Sequence, residues 1–167
     1  NQTSGSWTIK GVDNKIDASG NTYVLSNIWS GNNDYKVTKL SSSGVVLWDM
    51  VYNSSGTFND SPVALALDNQ SLPNIYVTGY TEQANGTSDI TTVKYSNTGA
   101  QLWSINYDCG NNGSDIATSM TLDGFENIYI TGASNCIGSG NDVKTIKYSI
   151  SAPTISVSAS TNICNGS

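Results

Sequence analysis

Histidine is missing from all 167 residues, which removes the commonest general base and the commonest zinc ligand together. Charged side chains are scarce at 12%, and the balance is acidic, with a net charge of -6. An acidic chain without a basic stripe argues against nucleic acid and anionic membrane surfaces as partners. Long apolar runs are missing too: none approaches the roughly 20 residues that cross a bilayer, so no membrane insertion is expected. No charged and apolar leader opens the sequence, and the expectation is a mature or trimmed soluble piece. Cysteine is limited to Cys109, Cys136 and Cys164. Their spacing gives no CxxC, so neither a zinc site nor a thioredoxin-like pair is indicated.

What fills the space is Asn, Ser, Thr and Gly, a composition that leans toward an extracellular β protein. The sequence also repeats itself. LSSSGVVLWDMVYN at Leu40 to Asn53 returns as YSNTGAQLWSINYD at Tyr95 to Asp108. NTYVLS, NIYVTG and NIYITG begin at Asn21, Asn74 and Asn127, and DYKVTKL, DITTVKY and DVKTIKY at Asp34, Asp89 and Asp142. DSPVALALD from Asp60 is matched by DIATSMTLD from Asp115. Each run is five to seven residues, rich in Val, Ile, Thr and Tyr and bounded by Gly, Asn, Ser and Asp, the mark of a short strand. Four antiparallel strands at a pitch of 53 to 55 residues predict an all-β chain of propeller-type blades.

The ordered motifs D-x-A-x-x-x-x-L-D, N-I-Y-V-T-G, D-x-x-x-x-K-Y and G-x-x-L-W-x-x-x-Y resemble the SBBP family of bacterial β-propeller repeats over about residues 12 to 148. That resemblance implies an extracytoplasmic bacterial protein, often large and multidomain, without assigned chemistry. The tail APTISVSASTNICNGS is similar to the opening strand of Ig-like modules in secreted proteins of Bacteroidetes-type bacteria. The expected division is a leading or closing strand at 1–11, blades at 12–59 and 60–114, and an incomplete blade at 115–150 lacking its outer strand. A linker and first Ig-like strand follow at 151–167, and the array is expected to belong to a larger or neighbour-completed assembly.

The Trp phrase is expected to repeat because the joint between blades repeats, with Leu47 and Trp48, and Leu102 and Trp103, packing both faces of the outer strand. Sugar stacking on exposed aromatics is the alternative. Lys39, Lys94 and Lys147 are read as stems lying over a strand face. Alternating strand directions put short turns on one end of the blades and longer loops on the other, and the longer-loop end is the expected binding face. Trp29 and Phe58 stand in those loops. Asp34, Asp60, Asp89, Asp115 and Asp142 open strands there, as turn caps or as oxygen ligands for Ca²⁺, the one cofactor considered. Cys109, after one outer strand, and Cys136, in the next blade's loop, are expected side by side as a disulfide, which implies an oxidising compartment. Seven N-x-[ST] sequons occur, which a bacterial source would usually leave bare.

Three functions follow from this reading. The leading expectation is a non-catalytic, secreted or cell-surface scaffold for adhesion or for protein or glycan binding. Its partners would be other domains of the same chain or an external ligand. A structural subunit of an extracellular fibre, built by strand addition from copies of the chain, is the first alternative. An enzyme acting on polysaccharide through paired carboxylates is the second.

Overall fold

The computed structural model describes residues 9–54, 57–110, 113–136, 140–151 and 154–163. Twelve strands are found there and no helix: β1 (Ile9–Ile16), β2 (Thr22–Trp29), β3 (Asn33–Leu40), β4 (Val46–Tyr52), β5 (Asp60–Leu67), β6 (Ile75–Glu82), β7 (Ser88–Tyr95), β8 (Gln101–Tyr107), β9 (Asp115–Leu122), β10 (Ile128–Cys136), β11 (Gly140–Ser151) and β12 (Thr154–Ile163). They make three antiparallel meanders, β1-β2-β3-β4, β5-β6-β7-β8 and β9-β10-β11-β12, here called the first, second and third sheets. All three are open sheets, and they form no closed ring. Strands β1, β5 and β9 neighbour one another in turn, so the leading edges of the three sheets stand together.

Two cores lie between the sheets. Tyr23, Leu25, Tyr35 and Val37 of the first sheet meet Leu65, Ile75, Val77, Val93 and Tyr95 of the second. Tyr76 and Ile90 of the second meet Ala117, Ile128, Ile130, Ile146 and Tyr148 of the third. A middle sheet packed on both sides requires apolar groups on both faces, and β6 and β7 are buried along nearly their whole length. Each sheet has a bulge opposite its second strand, and each places one glycine there. Gly11 faces Ser26, Gly79 faces Pro62, and Gly132 faces Ala117. At Gly79 and Gly132 the bulge crowds two backbones and the missing side chain relieves the crowding, whereas Gly11 has open space.

Three sequence expectations change. Thr154–Ile163 pairs with β11, so the third sheet has its fourth strand where an incomplete blade was expected. A β-rich stretch following an unpaired edge satisfies its backbone by adding to that edge. β1 begins at Ile9, inside the segment assigned to a leading strand. The proposed closing strand from Ser4 falls largely outside the described residues. Leu47 and Leu102 are each 52% exposed and do not pack the joints. As edge strands, β4 and β8 bury only the side that carries Trp48 and Trp103.

Candidate functional site

The five aspartates at the loop end do not form a ring. Four of them divide between the joints, Asp34 lying near Asp60 and Asp89 near Asp115, while Asp142 stands apart in the third sheet. Asp34 accepts from Ser30 Oγ at 3.3 Å and Asn32 Nδ2 at 3.0 Å. Asp60, fully buried, accepts the Ser54 backbone N–H and hydroxyl, both at 2.8 Å. Asp115, also fully buried, takes the Cys109 N–H at 2.8 Å and the Ser134 hydroxyl. Asp142 is buried in the third sheet. Asp60 and Asp115 thus accept backbone N–H groups as turn caps do, whereas Asp34 accepts side-chain donors. Carboxylate oxygens of Asp89, Asp108 and Asp115 lie within 4.8 Å of one another, as do ligand atoms of Cys109, Asp115 and Cys136. These are the described residues that could hold a hard or a thiophilic cation, and Asp115 is common to both groups.

Burial raises Asp34 above the ordinary carboxylate value; at Asp60 burial is joined by the Asp34 charge, and at Asp89 by Asp108 and Asp115. A carboxyl raised in the fold binds its proton more tightly there than when unfolded, so its charge opposes folding above the folded value. That penalty is relieved as pH falls toward 3.8. Asp13, Asp17, Asp49 and Asp123 are lowered, so they stabilise above 3.8 and lose that contribution below it. Asp17, Asp49 and Asp123 are close to solvent, where screening weakens the effect. Thermal melts are therefore expected to show Tm rising as pH falls from 7 toward about 4.5, then falling at lower pH. Asp60→Asn should flatten the rise. A steady decline from pH 7 would contradict it.

At the opposite, short-turn end stands a repeated cluster that attention to strand openings misses. Asp17 Oδ1 accepts the Ser19 and Asn21 N–H groups at 2.9 Å, and Oδ2 accepts Asn21 Nδ2 at 2.8 Å and the Tyr23 hydroxyl at 3.2 Å. Asp123 binds Asn127 Nδ2 at 2.7 Å and Tyr129 at 3.2 Å, and Asp68 binds Asn74 Nδ2 at 2.6 Å and Tyr76 at 3.5 Å. The signal was present as an aspartate four or six residues before each N-x-Y. Each tyrosine ring then carries a lysine: Lys39 at 5.0 Å, Lys94 at 4.8 Å and Lys147 at 5.3 Å from the centroids. The repeated lysines thus pack over aromatic rings, a cation–π arrangement. Trp48 and Trp103 meet Tyr23 and Tyr76 edge to face at 6.1 and 6.2 Å.

Between these turns runs an open groove of about 580 Å³. It is lined by Lys15, Asp17, Asp68, Gln70 and Asp123 together with Leu65, Leu67, Met120 and Leu122. At its margin Glu126 has φ of 63°, where the corresponding turn of the first sheet has Gly20 at 80°. A side chain in this left-handed region costs about 1 kcal/mol. Glu126 Oε1 accepts Gln70 Nε2 at 2.6 Å, bridging the second and third sheets. At the longer-loop end, Trp29 is 48% exposed and Phe58 half-buried, its carbonyl accepting Asn32 Nδ2 at 2.7 Å.

Cys109 and Cys136 are brought together, their sulfurs within 4.8 Å. No S–S bond joins them in this structure. Burial, with the hydrogen bond to Cys136, pushes the Cys109 thiol up to about 12. Cys164 lies outside the described residues.

No family profile and no curated protein matches the chain. Among solved structures, the fold is similar to "Bacillus licheniformis Rhamnogalacturonan Lyase PL11", with a TM-score of 0.56 and 13% identity. The match covers 93% of this chain but 35% of the lyase chain, so this chain spans about a third of that protein.

Proposed function

We propose that the chain is a non-catalytic module of propeller-type blades in a secreted or surface-displayed bacterial protein, and that its short-turn groove binds a neutral glycan. The observation that carries this reading is the groove itself: amide and carboxylate groups share its lining with leucine and methionine side chains, and Glu126, bonded to the lining Gln70, is held in a costly backbone conformation. Ligand sites combine an apolar base with a few placed polar groups, and strain gathers where function requires it. The repeated aspartates there already accept protein donors, which suits a fixed binding rim better than a proton-transfer pair. The reading moves the binding face from the longer loops to the short turns.

Lyase activity is not carried over from the neighbouring structure. Rhamnogalacturonan is a uronate polymer, and a polyanion would meet Asp17, Asp68 and Asp123 along the groove of an already acidic chain. A glycan array containing neutral and uronate oligosaccharides tests the proposal. Neutral ligands should bind, and Gln70→Ala should weaken binding about tenfold, the loss of one or two polar contacts. Glu126→Gly relieves the strained position and should preserve or raise Tm while also weakening binding. Binding to uronates alone, or none to any glycan at millimolar concentration, would overturn it. Release of reducing ends from a bound polysaccharide would overturn its non-catalytic part.

A further inference from the structure

The two joints follow one plan with different chemistry. In the first, Ser54 follows β4 and gives its N–H to Asp60 Oδ2 at 2.8 Å. In the second, Cys109 follows β8 and gives its N–H to Asp115 Oδ2 at the same 2.8 Å. Counting from the aligned Asn74 and Asn127, the position of Gln83 in the second sheet is Cys136 in the third. Two of the chain's three cysteines therefore fall on partner positions of one joint, where the other joint has serine and glutamine. The joints differ at a further place. Asn97 reaches from the second sheet into the first, with Oδ1 accepting Lys39 Nζ at 3.1 Å and Nδ2 donating to the Tyr23 hydroxyl at 2.9 Å. The aligned residue in the third unit is Ile150, which has no such groups to offer.

We propose that Cys109 and Cys136 are a cross-link site, closed as a disulfide that fastens the third sheet to the second in place of the Asn97 latch. Two thiols lose two protons and two electrons as the S–S bond forms, and the electrons go to a small-molecule or protein disulfide, which leaves as two thiols. Cys136 is placed to attack first: the Lys144 ammonium stands 3.9 Å from its sulfur and donates to it. The mixed disulfide so formed would then be displaced by Cys109. A metal fits this pocket less well. Both carboxylate oxygens of Asp115 already accept protein donors, and the Lys144 ammonium would repel a cation.

The test uses the full chain with Cys164→Ser, incubated with oxidised glutathione. The intact mass should fall by about 2 Da, iodoacetamide should add nothing, and a proteolytic digest should yield a peptide pair joining Cys109 to Cys136. Reduction should lower Tm by roughly 5–15 °C. Amide exchange should quicken in β9–β11 and stay unchanged in β1–β3, a pattern that general destabilisation would not give. Alkylation of both thiols after oxidation would overturn the proposal. So would protection of both by Zn²⁺ alone without loss of mass, which would assign the pocket to a metal. Cys109→Ser and Cys136→Ser keep the polar pattern of the first joint and should fold, with a Tm insensitive to reductant.

Discussion

Gly79→Ala is expected to destabilise the protein by about 3–5 kcal/mol, enough to leave a marginal domain unfolded. A Cβ at this position would fall well inside contact distance of the Ser61 carbonyl oxygen, 2.5 Å from the Tyr35 hydroxyl and 2.8 Å from Pro62 Cα. Two of these neighbours are backbone of β5, opposite the bulge, and cannot swing aside. The third is a fully packed ring at the centre of the first joint. Moving any of them would separate β5 from β6 or the second sheet from the first, and overpacking in such a core has no cheap relief. Gly11→Ala is the control, because a Cβ there meets nothing within 4 Å. Urea unfolding should give a large drop in midpoint, or no cooperative transition, for Gly79→Ala and a change within about 1 kcal/mol for Gly11→Ala. Equal effects would mean that glycine at the bulge matters for flexibility and not for space.

Asn97→Leu should cost about 2–3 kcal/mol, the second large effect. Asn97 is a polar plug in the first joint. Besides its side-chain bonds to Lys39 and Tyr23, its carbonyl accepts Trp48 Nε1 at 3.1 Å. Lys39 is only 6% exposed, and burial already holds its ammonium below the ordinary value, opposed by the charge of Asp17. Leucine fills similar space but leaves that ammonium the more distant residue-97 carbonyl, at 3.4 Å, and the face of the Tyr23 ring in place of the amide oxygen. Removing a partner from a buried charged group costs more than a surface bond is worth. Hydrogen exchange should localise the loss to β2, β3 and the turn after β7, with Trp48 emission shifted to longer wavelength. Uniform loss across all three sheets would mean that the joint is not a separate unit.

The sequence carried the strands because their signal is local: runs of Val, Ile, Thr and Tyr between Gly and Asn need no knowledge of what lies across the joint. The four runs of the second repeat correspond to β5 through β8 with ends differing by a few residues. Pairings across space were less visible. Ser26 stands where the other two repeats have Gly79 and Gly132, and the structure puts Gly11 across from it on β1, a pairing that no local pattern announces. Leu47 and Trp48 are equally apolar in sequence, and only the edge position of β4 decides that Trp48 is covered while Leu47 is exposed. The Asp17, Asp68 and Asp123 clusters escaped because the second has a longer spacing than the others, six residues instead of four before the asparagine. The cysteine pair was legible as proximity, since strand direction alone places both at one end.

Every strand in these meanders bonds only to the strands next to it in the chain. Under tension, such hairpins come apart by peeling, one ladder bond after another, instead of resisting in shear. A sheet sandwiched between two others is held by its faces, whereas β1 and β12 each have an outer edge with no partner strand in their own sheet. Pulled from its ends, the chain would therefore yield from the outside inward, with the second sheet the last to open.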